Sequence, residues 1–204
     1  MTAAVATGAG ARPARSTYSA VAIALHWLIA ALILTNVGLA WYFNTLKGPD
    51  AVAPIQLHKS IGITVLLLTL ARIGWRFTHR PPPLPATMAR WQVWIARATH
   101  VLLYVVMLGM PLSGWAMVSA SPLIRVHPTV LYGVAPWPAV PFPGFSSDQL
   151  HDARHLLKTV HGLGAWLAYL TVSLHVAAAL KHYLIDRDDV VARMIPFLSR
   201  EKGA

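Results

Sequence analysis

The chain of 204 residues has no cysteine, and that absence removes several classes at once. Disulfide scaffolds, thiolate zinc sites, iron–sulfur clusters and c-type haem attachment all need a sulfur that is not there. Charge is scarce as well. Only 12% of the residues are Asp, Glu, Lys or Arg, against about 25% in soluble domains, so little remains to coat a water-facing surface. Acidic residues are the rarest of these, 7 against 17 Lys and Arg, for a net charge of +10. Such a surplus suits nucleic acid when it gathers on one face. Here the basic residues sit between long apolar runs, which excludes a nucleic-acid binder.

Those runs are the dominant feature. Positions 16–46 form a stretch of 31 residues without a charged side chain, and 98–124 and 159–180 form two more. Each exceeds the roughly 20 helical residues that cross about 30 Å of hydrocarbon. A fourth run, 54–75, is interrupted, with only 12 uncharged residues between Lys59 and Arg72. Three spans with one buried amphipathic helix is the alternative, but the stretch ITVLLLTLA is hard to hide in so small a chain. The prediction is an all-α integral membrane protein, a four-transmembrane-helix bundle with spans at 18–43, 54–76, 91–118 and 157–184. These lie in one unit, 17–186, flanked by cytoplasmic tails at 1–16 and 187–204.

The first run is too deep in the chain and too long for a cleaved signal, and it ends in Trp41-Tyr42-Phe43 rather than a small-residue cleavage site. Those aromatics read as an interfacial belt, as do Trp75 with Phe77 and Trp91 with Trp94. Loop charges set the orientation. Arg12 and Arg15 precede the first span; Arg72, Arg76, Arg80, Arg90 and Arg97 surround the second loop; Lys181, Arg187, Arg193, Arg200 and Lys202 follow the last span. The first loop has little beyond Lys47 and Asp50, and the third sets Arg125, Arg154 and Lys158 against Asp148 and Asp152. By the positive-inside rule both termini are cytoplasmic. Six prolines between Pro122 and Pro143 argue against regular structure in the third loop. Ser146 and Gln149 form a capping-box pattern that starts the fourth helix near Ser147, outside the membrane.

Ionisable residues inside a membrane are costly and usually functional. Of ten histidines, His26, His58, His100, His161 and His175 fall within the predicted spans. A single one reads as a helix–helix hydrogen bond, but five among four helices with almost no carboxylates favour a cofactor. His161 and His175 are 14 residues apart on one helix, so they stand roughly 21 Å apart and face within about 40° of each other. Depth then pairs His58 with His161 on the outer side and His26 with His175 on the inner side, the arrangement two bis-histidine haems need. Small neighbours three or four positions away leave room for a planar group: Ala22 and Ala30, Gly62, Gly164 and Ala165, Ala178 and Ala179. His100 instead precedes Leu103 and Tyr104, and its role stays open between a propionate contact, a quinone contact and a bridge between helices.

Arg72 and Arg76 share one helix face and either snorkel to headgroups or pair with haem propionates; Lys59, beside His58, has the same two readings. Met107, Met110 and Met117 read as packing. His182 competes weakly as a ligand, because its level has no partner. His151 and His155 flank Asp152 at metal-compatible spacing but read as a solvated helical face, and His79 and His127 as loop residues.

The segments SAVAIALHW, LHKSIGITVLLLTLARIGWR, ATHVLLYVVMLGMPLSGW and HGLGAWLAYLTVSLHVAAALKHY, followed by RMIP at Arg193 to Pro196, resemble the bacterial cytochrome b561 family. The likeness runs from Tyr18 to Pro196, with the motifs in order. It also looks related to the cytochrome b subunits of membrane hydrogenases and formate dehydrogenases, whereas four spans argue against the six-span ascorbate-linked branch. The resemblance implies two b haems in the bundle core, with His26/His175 and His58/His161 as axial pairs on the iron, and Arg72, Arg76, Lys59 and His100 in secondary roles. It implies a bacterial inner-membrane protein passing electrons between a periplasmic or membrane donor and the quinone pool, either as a pure carrier or as a superoxide oxidase with ubiquinone as acceptor. A cytochrome b subunit of a separate dehydrogenase is the alternative. A haem-free histidine transporter stands lower, since Pro111 is the one marked irregularity and membrane carboxylates are lacking.

Overall fold

A computed structural model describes residues 17–84 and 88–198. Four long helices, α1 (Ala20–Thr45), α2 (Val52–Thr78), α3 (Arg90–Ser119) and α4 (Ser147–Lys181), make up most of it. At 1.5 Å per residue even α1, with 26 residues, reaches about 39 Å, and all four are long and apolar enough to cross a membrane. Their large apolar side chains point outward, with Leu34 64%, Leu163 65% and Trp166 73% exposed. In water such a surface is untenable; in lipid it is the expected exterior.

Local chemistry explains the helix ends. The Ser19 hydroxyl accepts from the Ala22 amide to open α1, and the Ser146–Gln149 capping box opens α4. Gln92 reaches back to the Ala89 amide at the start of α3, which runs on through Pro111. A π-helical turn, His182–Asp186, extends α4 and closes on left-handed Arg187.

Packing proceeds in chain order, α1 on α2, α2 on α3 and α3 on α4. α2 is the central element. It holds the fully buried Ser60 and Thr69 along with Ile61, Ile63, Val65 and Leu66, and Ile29 of α1 joins Ile61 and Val65 in the core. Its centrality explains its ambiguous sequence signal, since it spans like the others yet presents less of itself to lipid. Two of the buried hydroxyls are met by their own helix backbone, whereas Thr69 Oγ1 has no partner among the described residues. Ser60 donates to the Gln56 carbonyl at 2.9 Å and Thr171 to that of Leu167 at 2.8 Å, which removes the penalty of an unpaired polar group in an apolar medium. The remaining seam, α1 against α4, is bridged by side chains, with Trp41 Nε1 donating to the Tyr169 hydroxyl at 3.1 Å.

The proline-rich third loop is more ordered than its composition suggests. A 3₁₀ turn (Pro122–Arg125) precedes a two-stranded antiparallel hairpin, β1 (Val130–Leu131) and β2 (Ala135–Pro136), in the register Val130↔Pro136 and Leu131↔Ala135. Tyr132 and Gly133 turn the chain at φ 52° and 73°. A tyrosine there is strained, and α2 holds it: its amide donates to Ser60 Oγ at 2.9 Å and its hydroxyl lies 2.7 Å from Thr64 Oγ1. The partners that order the loop belong to another helix, which is why its own residues do not reveal it. Gln56 Nε2 to the Pro128 carbonyl, and Trp115 Nε1 to the Pro138 carbonyl, both 2.8 Å, pin the loop over one end of the bundle. At the other end Trp75 Nε1 bonds Ser19 Oγ, Trp27 Nε1 bonds the Met194 carbonyl and Arg193 bonds the Pro83 carbonyl.

Candidate functional site

The five span histidines gather into two clusters. At one level His58 of α2 faces His161 of α4, with ring centroids 6.4 Å apart and planes at 77°. At the other, His26 of α1 faces His175 of α4 at 6.1 Å and 69°. Two imidazole–metal bonds of about 2 Å each, plus the distance of about 1 Å from each nitrogen to its ring centre, put the centroids of a trans bis-histidine pair roughly 6 Å apart. Both pairs have that spacing. His100 of α3 joins the His26–His175 cluster, 5.6 Å from His175, so the structure brings it into contact with a histidine that the sequence pairs elsewhere.

The His58–His161 pair opens into a cavity of about 680 Å³ lined by residues of all four helices and by His127 and Thr129 of the third loop. His127, read from sequence as a loop residue only, is part of this wall. Lys59, Arg154 and Lys158 also line it, and among the described residues no carboxylate does; Arg125 is not among the lining residues. One ring nitrogen of each histidine is held. His58 Nδ1 lies 3.2 Å from the Asn36 carbonyl, and His161 Nδ1 lies 3.1 Å from Ser113 Oγ. Phe43, grouped in sequence with an aromatic belt, packs edge-on against His58 at 5.3 Å. Gly114 brings α3 against the His161 ring, where an added Cβ would stand 3.0 Å from Cε1. Gly164 serves a different contact, since a Cβ there would meet Met110 Sδ at 2.5 Å; it closes the α3–α4 packing instead of leaving room beside His161. Met110 is thus a packing residue, and Met107 packs against the core cluster.

Arg72 lies within electrostatic reach of His26, His100 and His175. Arg76, on the same helix face, places its guanidinium 6.0 Å from the Tyr104 ring centre. His182 turns away from both clusters to Asp188 and Asp186, with Nδ1 to carboxylate distances of 2.7 and 3.3 Å, and Lys181 bonds Asp186. His151 is exposed beside Asp152, on the stretch of α4 beyond the clusters that also carries His155. His79 stacks on Trp75 at 3.7 Å.

The model of the prokaryotic cytochrome b561 family matches residues 17–197. The chain belongs to that family. It is 33% identical over 193 residues to "Cytochrome b561 homolog 2" of Escherichia coli (strain K12), covering 91% of this chain and 95% of that protein. It is 28% identical over 183 residues to "Probable superoxide oxidase CybB" of Yersinia pestis, covering 88% and 96%. With "Cytochrome b561 homolog 1" of Escherichia coli it shares 26% over 187 residues, covering 88% and 97%. Cytochrome b561 membership carries membrane electron transfer and a b-type haem, and the four apolar helices fit a multi-pass inner-membrane protein.

The residues present fit such a group. Both histidine pairs have the metal-spanning separation, the cavity beside His58 and His161 is large, and two buried side-chain oxygens on its wall, Asn36 Oδ1 and Gln56 Oε1, have no partner among the described residues. Sequence reasoning missed Asn36, Ser113 and Gly114. The only signal for them was local, an amide inside an uncharged run and a Ser-Gly pair following Pro111 in an apolar helix.

Proposed function

We propose that this cytochrome b561 binds two b haems, held by His58 and His161 on the periplasmic side and by His26 and His175 on the cytoplasmic side, with both termini cytoplasmic. The observation that carries the reading is the pair of centroid separations, 6.4 and 6.1 Å, at two levels of one bundle. Each b haem, when bound, supplies a one-electron couple in a water-poor site. The chain's own residues do the rest. Imidazoles fix the positions, α1 and α4 are kept apart except for side-chain contacts, and Arg72 and Lys59 supply positive charge for propionates at the two levels. His100 lies as close to His175 as His26 does, but α3 and α4 pack directly against each other, which leaves the α1–α4 seam as the place for a planar macrocycle. His26 is therefore the inner ligand, and His100 is a neighbour of the group.

The donor we propose is superoxide and the acceptor ubiquinone. Lys59, Arg154 and Lys158 line the outer cavity without a carboxylate, and a positive rim of this kind concentrates a small anion; a relative at 28% identity bears the name superoxide oxidase. Two superoxide anions give up one electron each and leave as O₂, while ubiquinone takes two electrons and two protons to become ubiquinol. A reduced-minus-oxidised spectrum with pyridine haemochrome quantification tests the cofactor, with two haems per chain expected. Protein made with ample haem supply that contains none, or one, overturns the assignment. Superoxide-driven reduction of ubiquinone tests the donor, and reduction by quinol alone with no superoxide response refutes it.

A further inference from the structure

We infer that Ser113 is a positioning residue for His161: it fixes the tautomer of that ligand and lowers the reduction potential of the outer haem. The inference rests on the proposed ligation and concerns a residue outside the ligand set. Ser113 Oγ lies 3.0 Å from the Met110 carbonyl three residues before it on α3. A carbonyl only accepts, so in that bond the hydroxyl is the donor. What Oγ presents to His161 Nδ1, 3.1 Å away, is a lone pair. His161 therefore carries its proton on Nδ1 and keeps the Nε2 lone pair free for iron. The same logic holds across the site, where the partner of His58 Nδ1 is the Asn36 carbonyl at 3.2 Å.

These two acceptors differ in kind. The Asn36 carbonyl belongs to the backbone of α1, and no side-chain substitution removes it. Ser113 is a side chain, set beside the Met110 carbonyl that also reaches His161, and it is delivered to the ring because Gly114 lets α3 approach until an added Cβ would stand 3.4 Å from Nδ1. A hydrogen bond from Nδ1–H raises the basicity of the ligating nitrogen and orients the ring, and a more basic ligand favours the ferric state. Among the described residues, neither His26 nor His175 makes such a bond, their contacts being ring contacts and electrostatic ones. The outer site thus has a side-chain control of its potential that the inner site lacks.

The test is a redox titration of the purified, haem-loaded protein followed optically, with Ser113→Ala and Ser113→Thr beside the wild type. The component that disappears in His161→Ala labels the outer haem. Ser113→Ala is expected to keep two haems per chain and to move the outer component, half the amplitude, to higher potential while the inner one stays. Ser113→Thr, which keeps the hydroxyl, is expected to leave both components in place. If Ser113→Ala loses the outer haem while Ser113→Thr keeps it, the positioning role stands. Two unshifted components, two components shifted alike, or equal effects of Ala and Thr overturn it. A wild type without two haems refutes the proposed ligation instead, so the two failures are told apart.

Discussion

Replacing Gly114 by alanine adds one methyl group directly against the His161 ring. The new Cβ would stand 3.0 Å from His161 Cε1 and 3.4 Å from Nδ1, whereas carbon contacts relax at about 3.5–4.0 Å. The ring or the helix must therefore give by a few tenths of an ångström. On one side the ring is held by Ser113 Oγ at 3.1 Å, and across the site its centroid is 6.4 Å from that of His58, close to the span two metal bonds require. Overpacking of this kind costs about 1–3 kcal/mol. If that cost falls on the loaded geometry, affinity for the outer haem drops about 5- to 140-fold. The assay is haem titration of the apoprotein in detergent, with outer and inner occupancy resolved by comparison with His161→Ala. The inner haem is expected to bind as in the wild type, since the three atoms nearest the added Cβ all belong to His161. Outer-haem affinity equal to wild type refutes the close approach of α3 to the His161 ring, and equal weakening of both haems refutes its local character.

Other substitutions divide the site further. His58→Ala or His161→Ala is expected to halve haem content, from two to one per chain, and His26→Ala or His175→Ala to do the same with the other spectral component; loss of both from folded protein, or of neither, contradicts the pairing by level. His100→Ala is expected to retain two haems by pyridine haemochrome, because α3 and α4 leave no gap for a macrocycle between His100 and His175, and loss of the inner haem would make His100 the ligand in place of His26. Neutralising Lys59, Arg154 and Lys158 together with glutamine is expected to slow superoxide-driven quinone reduction and flatten its dependence on ionic strength, since steering by charge is screened by salt; an unchanged salt profile removes the cationic rim from donor capture.

Much of the architecture was legible because lipid imposes simple demands. A chain that must satisfy every backbone group internally and face hydrocarbon leaves long uncharged runs, and three of the four helices announce themselves so. α2 was the ambiguous one, since a central helix carries residues such as Lys59 and Arg72 that line sites within the bundle. The nearness of His58 to His161 and of His26 to His175 was legible too, because 14 residues on one helix define both a depth and a face. The hairpin in the third loop was not, since the groups that hold Tyr132 come from Ser60 and Thr64, about 70 residues earlier.

The sequence by itself determined that this chain is a membrane bundle with histidines at two depths, because hydropathy and helical period are properties of single elements. Only the tertiary structure decided what surrounds those histidines. That His100 enters the inner cluster, that Lys59, Arg154 and Lys158 share one cavity, and that Asn36, Ser113 and Gly114 hold the outer rings all depend on how separate helices approach each other. Such approaches are set by side-chain volume and by acceptors on neighbouring elements, and no spacing along one helix records them.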